Sequence, residues 1–194
     1  MFRFDRRLLL IAALTAAVVA TGCNRHTAIR HSAPSGKTVF FNSFESPTDT
    51  LHWYWAEPST FTGDVPPGGG SHALEVRGQR ILPAASFVTR PLATGGYFVV
   101  ECWGKAVDIG GYIELASVAD HEIASTVQAH ITEPRWEMVR SADTLFCPPN
   151  SSIMLTMQAG ALMPGVMRID QLRIRKLDKP LPGGDTPLAR RGQR

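Results

Sequence analysis

The sequence has only three cysteines among its 194 residues, Cys23, Cys102 and Cys147, and no Cys/His spacing that resembles a zinc site. It lacks a Gly-x-Ser-x-Gly nucleophile elbow, because Gly69-Gly70-Ser71-His72-Ala73 is missing the last glycine. The glycine- and proline-rich stretch 63–70 is followed by neither the Lys-Ser/Thr pair nor the helix of a phosphate loop. No glucanase-like Glu-x-Asp-x-Glu run occurs, and Asp120-His121-Glu122 reads as a charged turn between strands. An enzyme is therefore the least supported class. No apolar run reaches the roughly 20 residues of a membrane-spanning helix, and no stripe of helical period lasts beyond about two turns. What is present is 44% hydrophobic residues, enough to exclude a disordered chain. The 17 glycines and 14 prolines break long helices and favour short strands joined by turns.

The first segment has the parts of a secretory signal. Residues 1–7 carry Arg3, Arg6 and Arg7 with Asp5, and residues 8–20 are uncharged and nearly all apolar. As a helix those thirteen residues reach roughly 20 Å, short of a bilayer core. Ala20-Thr21-Gly22 runs directly into Cys23, an ending that resembles the lipobox of bacterial lipoproteins. The resemblance implies removal of residues 1–22 and acylation of Cys23, by chains such as palmitate, on a membrane. Asn24 after the cysteine, in place of the retention signal Asp, implies the outer membrane of a Gram-negative bacterium. Asp5-Arg6-Arg7-Leu8-Leu9-Leu10 is loosely similar to a twin-arginine signal, although a general secretory signal suits the segment better. Residues 23–37 read as a polar tether, and 178–194, rich in proline, glycine and arginine, as a disordered tail. Export leaves Cys102 and Cys147 as one possible disulfide pair; the alternative for Cys102, on an apolar strand face, is a small buried hydrophobe.

Between residues 38 and 177, strand-like runs alternate with turn signals, which predicts an all-β sandwich of antiparallel sheets. The clearest runs are 38–42, 72–77, 97–106, 111–118, 122–131, 153–158 and 166–176, with weaker ones at 51–55, 86–90 and 136–141. Side chains alternate faces along a strand. Phe98, Val100 and Cys102 thus share an inner face, as do Ile113 and Leu115, and Ile123, Val127, Ala129 and Ile131. Asp108-Ile109-Gly110-Gly111 is expected to form a hairpin turn. That hairpin would gather Glu101, Trp103, Lys105, Tyr112, Glu114, Gln128 and His130 on one polar outer face with embedded aromatics.

The order of several short motifs is familiar. Asn42-Ser43-Phe44-Glu45-Ser46 opens the series, then a Trp-containing run and Gly70-Ser71-His72-Ala73-Leu74-Glu75-Val76. Tyr97-Phe98-Val99-Val100, Trp103-Gly104-Lys105, Trp136-Glu137-Met138-Val139, Phe146-Cys147-Pro148 and Arg168-Ile169-Asp170-Gln171-Leu172 follow. The series resembles the jelly-roll carbohydrate-binding modules of families four and nine, in the galactose-binding-like superfamily, over about 140 residues. The resemblance implies a noncatalytic module that binds a polysaccharide in a groove. An aromatic plane for a sugar ring and hydrogen-bonding side chains around it are the requirements, and Trp103, Tyr112, Gln128, Glu101 and Glu114 are the candidates. The blander alternative is Trp103 packed under a loop on an ordinary solvated face. Trp53 and Trp136 match core aromatics of the family, and Tyr54 or Trp55 could line the groove edge. A structural calcium is also implied, with Glu45 and Asp170 at the matching positions and Gln171 where the family often has a second Asp. These carboxylates serve equally as turn or cap groups without a metal. A protein-interaction or adhesion module of an envelope complex is the competing function for the same fold.

The formal charge of +3 belongs to the flanks. Residues 1–22 contribute +2, 23–37 contribute +3 and 178–194 contribute +2, whereas 38–177 hold ten basic and fourteen acidic residues, a net −4. Nucleic acid is therefore not the expected partner, and the basic flanks suit anionic lipid or cell-wall polymer near an anchor.

Overall fold

The computed structural model describes residues 36–57, 59–78, 83–120, 122–160 and 163–182. Cys23, the signal segment, most of the tether and residues 183–194 lie outside the described residues. Twelve strands run in order: β1 (Gly36–Asn42), β2 (Tyr54–Trp55), β3 (Ser59–Thr62), β4 (Ala73–Gly78), β5 (Ala85–Val88), β6 (Gly96–Ala106), β7 (Gly111–Ala119), β8 (Glu122–Ile131), β9 (Glu137–Arg140), β10 (Leu145–Cys147), β11 (Ser152–Ala159) and β12 (Gly165–Leu177). Among the described residues one 3₁₀ turn, Pro47–Thr50, is closed by a capping box between Ser46 and Asp49. The ten expected runs all hold strand; β3 and β10, of four and three residues, are too short to show a periodicity.

The strands form two antiparallel sheets, one of seven strands and one of five. In the larger sheet, β6 and β12 lie side by side at the centre, with β9 and β10 sharing the far side of β6. β4 and β1 share the far side of β12, and β3 follows β4. The smaller sheet has the order β2-β5-β11-β7-β8. The alternating apolar side chains of both sheets meet between them. Phe98, Val100, Cys102, Leu74, Ile169 and Ile174 from one face Ile113, Leu115, Ile131, Ile153, Leu155 and Met157 from the other, all fully buried. Each such side chain contributes roughly 1.5–3 kcal/mol on leaving water. Trp53 joins this core within 6.4 Å of Phe40, Phe44, Trp55 and Phe87, in agreement with the sequence reading. The whole is a jelly-roll β-sandwich.

Three expectations need correction. Residues 107–110 do not form a hairpin within one sheet: β6 lies in the seven-stranded sheet and β7 in the five-stranded one, so this turn crosses between layers. Gly110 makes the crossing possible with φ 76°, a left-handed conformation that L side chains rarely adopt. Asp108 Oδ1 secures the turn by accepting from the Ile109 and Val166 amides, each at 2.6 Å. Ile123, expected inside, is exposed, because an irregularity between Ser117 and Val118 shifts its register against β7.

Cys102 and Cys147 are not a pair; both are free and buried. Cys147 lies opposite Gly96 and Cys102 is six residues further along β6, a separation of about 20 Å where a disulfide requires roughly 4.4–6.8 Å between Cα atoms. Burial pushes both thiols above their ordinary values, and the Asp170 and Glu101 charges push Cys102 further. These two thiols are therefore expected to resist a thiol reagent until the protein is unfolded, and dithiothreitol should leave the melting temperature unchanged. Native-state labelling of either cysteine, or a drop in melting temperature on reduction, would contradict this.

Candidate functional site

Tyr112, Glu114, Gln128 and His130 come together on the outward face of the five-stranded sheet. Register places Tyr112 between His130 of β8 and Gln158 of β11, and Glu114 between Gln128 and Thr156. The Tyr112 hydroxyl donates to Gln158 Oε1 at 2.6 Å, and Gln128 Nε2 donates to Glu114 Oε2 at 2.7 Å. The Tyr112 and His130 rings lie 5.9 Å apart with 52° between their planes. Thr156 is followed by Ser86 and then by exposed Tyr54 at the sheet edge. Gln158 is only 6% exposed, so the polar floor is recessed among its neighbours. Burial, with the Glu114 charge adding, pushes the Tyr112 hydroxyl above its ordinary value and keeps it a neutral donor at physiological pH. The arrangement offers an aromatic face and both hydrogen-bond donors and acceptors in one band, the chemistry a polyhydroxylated ligand requires. Gln158, Thr156 and Ser86 were not among the sequence candidates. Their outward positions follow from alternation, but that β11 lies beside β7 does not.

Trp103 and Glu101 are on the other sheet. They sit on the outward face of the seven-stranded sheet, separated from Tyr112 by the whole core, because the crossing at 107–110 sends β6 and β7 to different layers. The five expected ligand residues therefore do not form one site. Trp103 is half-buried beside Met138 and Asp170, and Glu101 is buried with Arg175 Nη1 at 3.5 Å. Of the other aromatics, Tyr54 edges the five-stranded face, Trp55 packs against the core, and Trp136 Nε1 donates to Asp64 Oδ1 at 3.0 Å.

Glu45 and Asp170, 125 residues apart in the chain, are brought together around Gly69-Gly70. Glu45 Oε2 accepts from the Ser71 amide at 2.8 Å and the His72 amide at 3.3 Å. A side chain at Gly70 would collide with the Glu45 carboxylate, and one at Gly69 would fall 2.8 Å from Asp170 Oδ2. Asp170 is fully buried; its Oδ1 accepts from the Gln171 amide at 2.6 Å, while Oδ2 has no hydrogen-bond partner. Gln171 itself takes φ 49° and turns its amide toward the Gly68 carbonyl at 3.4 Å. Among the described residues no three or more His, Cys, Asp or Glu side chains are arranged to hold a metal ion by themselves. These carboxylates thus fit a hard cation only if carbonyl or water oxygens complete the shell, as calcium accepts. The unpartnered buried Oδ2 is the feature that fits.

The cost of that oxygen is visible in its titration. Burial raises the Asp170 carboxyl, the Gln171 amide opposes this, and the Glu45 charge adds to it, so that it titrates at about 6. A carboxyl raised above its unfolded value disfavours the ionised fold. Its contribution is complete below its unfolded value near 4 and is lost as pH rises through about 6. Cation-free protein should therefore lose stability over this interval, and Asp170→Asn should flatten that slope. Equal pH dependence of urea midpoints in both proteins would refute the assignment.

No protein-family model and no curated protein sequence matches the chain. Solved structures do. The family 22 carbohydrate-binding and catalytic modules of Clostridium thermocellum endo-1,4-beta-D-xylanase 10B, complexed with xylohexaose, match with a TM-score of 0.54 and 13% identity. A xylan-binding domain of family 22 matches with a TM-score of 0.50 and 11% identity, over 75% of this chain and 99% of that one. The fold is that of a carbohydrate-binding module. The xylanase match covers 78% of this chain but only 30% of the enzyme chain. A further structure, described as a family 4 carbohydrate-binding module, has a TM-score of 0.40 and 11% identity over 66% of this chain. At these identities the likeness of this chain to the solved structures is one of fold.

Proposed function

We propose that the protein is a noncatalytic, lipid-anchored envelope module that binds a polysaccharide on the outward face of its five-stranded sheet. The observation that carries the reading is the band formed by Tyr112, Gln158, Glu114, Gln128 and His130, aromatic and hydrogen-bonding at once, on a carbohydrate-binding-module fold. A neutral β-1,4-linked glycan is the first ligand to test, because a similar solved structure is complexed with xylohexaose and another is named a xylan-binding domain. The finer family assignment, to four or nine, belongs to this reading and rests on the motif order alone. Exposed Val88 and Ile123 on the same sheet favour a protein partner as the second reading. Glu45 and Asp170 would hold a structural calcium, which would neutralise the buried Asp170 carboxylate and tie residues 68–72 to β12. Cys23 would carry the acyl chains, and two or more chains hold a protein on a membrane far more firmly than one.

In a glycan array with the Cys23→Ser chain, a neutral polysaccharide should be retained by the parent and by Trp103→Ala. Tyr112→Ala should weaken it about tenfold or more through loss of the ring contact and hydrogen bond. Absence of glycan binding together with a stable envelope-protein partner in pull-downs would favour the second reading. Calcium at about 100 times its dissociation constant should add about 2.7 kcal/mol of stability to chelator-treated protein and nothing to Asp170→Asn. A melting temperature indifferent to calcium would sink the metal assignment. Labelled palmitate should enter the parent chain and not Cys23→Ala, and only the parent should sediment with membranes.

A further inference from the structure

The outward face of the seven-stranded sheet divides electrically into two halves. At one end its charges are matched. Asp64 accepts from Lys105 Nζ at 2.7 Å and also pairs with Arg168, and Glu75 pairs with Arg168 at 2.9 Å and Arg77 at 2.6 Å. Burial raises the Asp64 carboxyl, but the hydrogen bonds from Lys105, Trp136 and Arg168 outweigh it and hold it at about 2. Arg77, Lys105 and Arg168 thus each have a carboxylate.

The other half is not matched. Across one row of strands stand Arg140 of β9, Glu101 of β6, Arg173 of β12 and Phe41 of β1. Glu101 is taken by Arg175. Among the described residues Arg140 has no hydrogen-bond or ion-pair partner. Arg173 has only the Gln171 amide oxygen at 3.2 Å and the Phe41 ring, 5.3 Å from its guanidinium carbon. Two arginines whose guanidinium groups have no carboxylate thus flank Glu101 in the row, their backbones about two strand spacings or roughly 10 Å apart. Beside them lie Phe41, 52% exposed, and Met138, 47% exposed and paired with Trp103. This cationic patch belongs to a domain whose net charge between residues 38 and 177 is −4, so it does not arise from a generally basic surface.

We propose that this half of the face is a second binding surface, which takes a polysaccharide bearing carboxylate groups. Charge complementarity selects an anion, and the planar guanidinium fork suits a carboxylate bidentately. The flanking Phe41 ring and Met138 thioether select a sugar, whose C–H face lies on apolar surface while its carboxylate points to the arginines. The surface is on the opposite side of the sandwich from Tyr112, so the two could be engaged together, and neither assignment requires the other.

The test uses the Cys23→Ser chain with polygalacturonate, the same polymer fully methyl-esterified, and poly-glutamate. Binding of polygalacturonate is expected at low salt and should weaken as salt rises. The esterified polymer should bind about tenfold or more weakly, and so should the acid polymer to Arg140→Gln/Arg173→Gln. Arg140→Gln alone, which removes no contact with the described residues, gives the same direction of change should the double variant fail to fold. Phe41→Ala should weaken binding with its salt dependence unchanged. No binding of polygalacturonate, equal binding of the esterified polymer, or indifference to the arginine substitutions overturns the proposal. Equal binding of poly-glutamate overturns it in favour of an acidic peptide. Tyr112→Ala leaves polygalacturonate binding intact, which separates this surface from the neutral-glycan reading.

Discussion

The irregularity in β12 between Asp170 and Arg173 is the constraint on which most of the molecule depends. Before it, residues 165–169 of β12 pair with β4; after it, residues 172–177 pair with β1, while β6 remains the neighbour on the other side throughout. A bulge permits this by adding a residue to one strand and sharpening the local twist. Gln171 takes the left-handed conformation that the extra residue demands. Asp170 is thereby turned beneath Gly69-Gly70 toward Glu45, and Arg173 and Arg175 emerge on the outward face. One backbone defect sets both the buried carboxylate and the position of the arginines.

Burial then decides how each charge behaves. Asp64 and Asp170 are the same side chain on the same outer side of one sheet, yet they titrate at about 2 and about 6. Asp64 has Lys105, Arg168 and the Trp136 indole around it, and these outweigh its desolvation. Asp170 has one backbone amide and the like charge of Glu45. The first is a structural clamp joining residues 63–64 to β6 and β12. The second is a group held in an unfavourable state, which a cation would relieve.

The two outward faces divide polar chemistry between them. On the five-stranded sheet the groups are neutral amides, hydroxyls and a phenol paired to one another, with Glu114 engaged by Gln128. On the seven-stranded sheet they are full charges, matched at one end and unmatched at the other. The first suits hydroxyl-rich ligands through many moderate hydrogen bonds; the second suits anions through a few strong ones.

Alternation along β6, β7 and β8 was legible because a two-residue period survives any tertiary arrangement, so Phe98, Val100, Cys102, Ile113 and Leu115 were placed inside from sequence alone. The jelly-roll class and Trp53 in the core were also legible, both through motif order rather than periodicity. Neighbours across strands were not. Asp108-Ile109-Gly110-Gly111 satisfies a hairpin and a sheet-to-sheet crossing equally well, since both leave the inner residues inside, and only the packing of the two layers separated Trp103 from Tyr112. The same holds for Cys102 and Cys147, whose distance is set by which part of β6 meets β10, and for Ile123, moved outward by one irregularity in register. Periodicity is a property of one strand, whereas a site belongs to the strands beside it. The chain by itself determined most of the side chains that face the core, wherever the two-residue period runs unbroken, and the tertiary structure alone decided where a register irregularity reverses it, as at Ile123, and which outward side chains stand together.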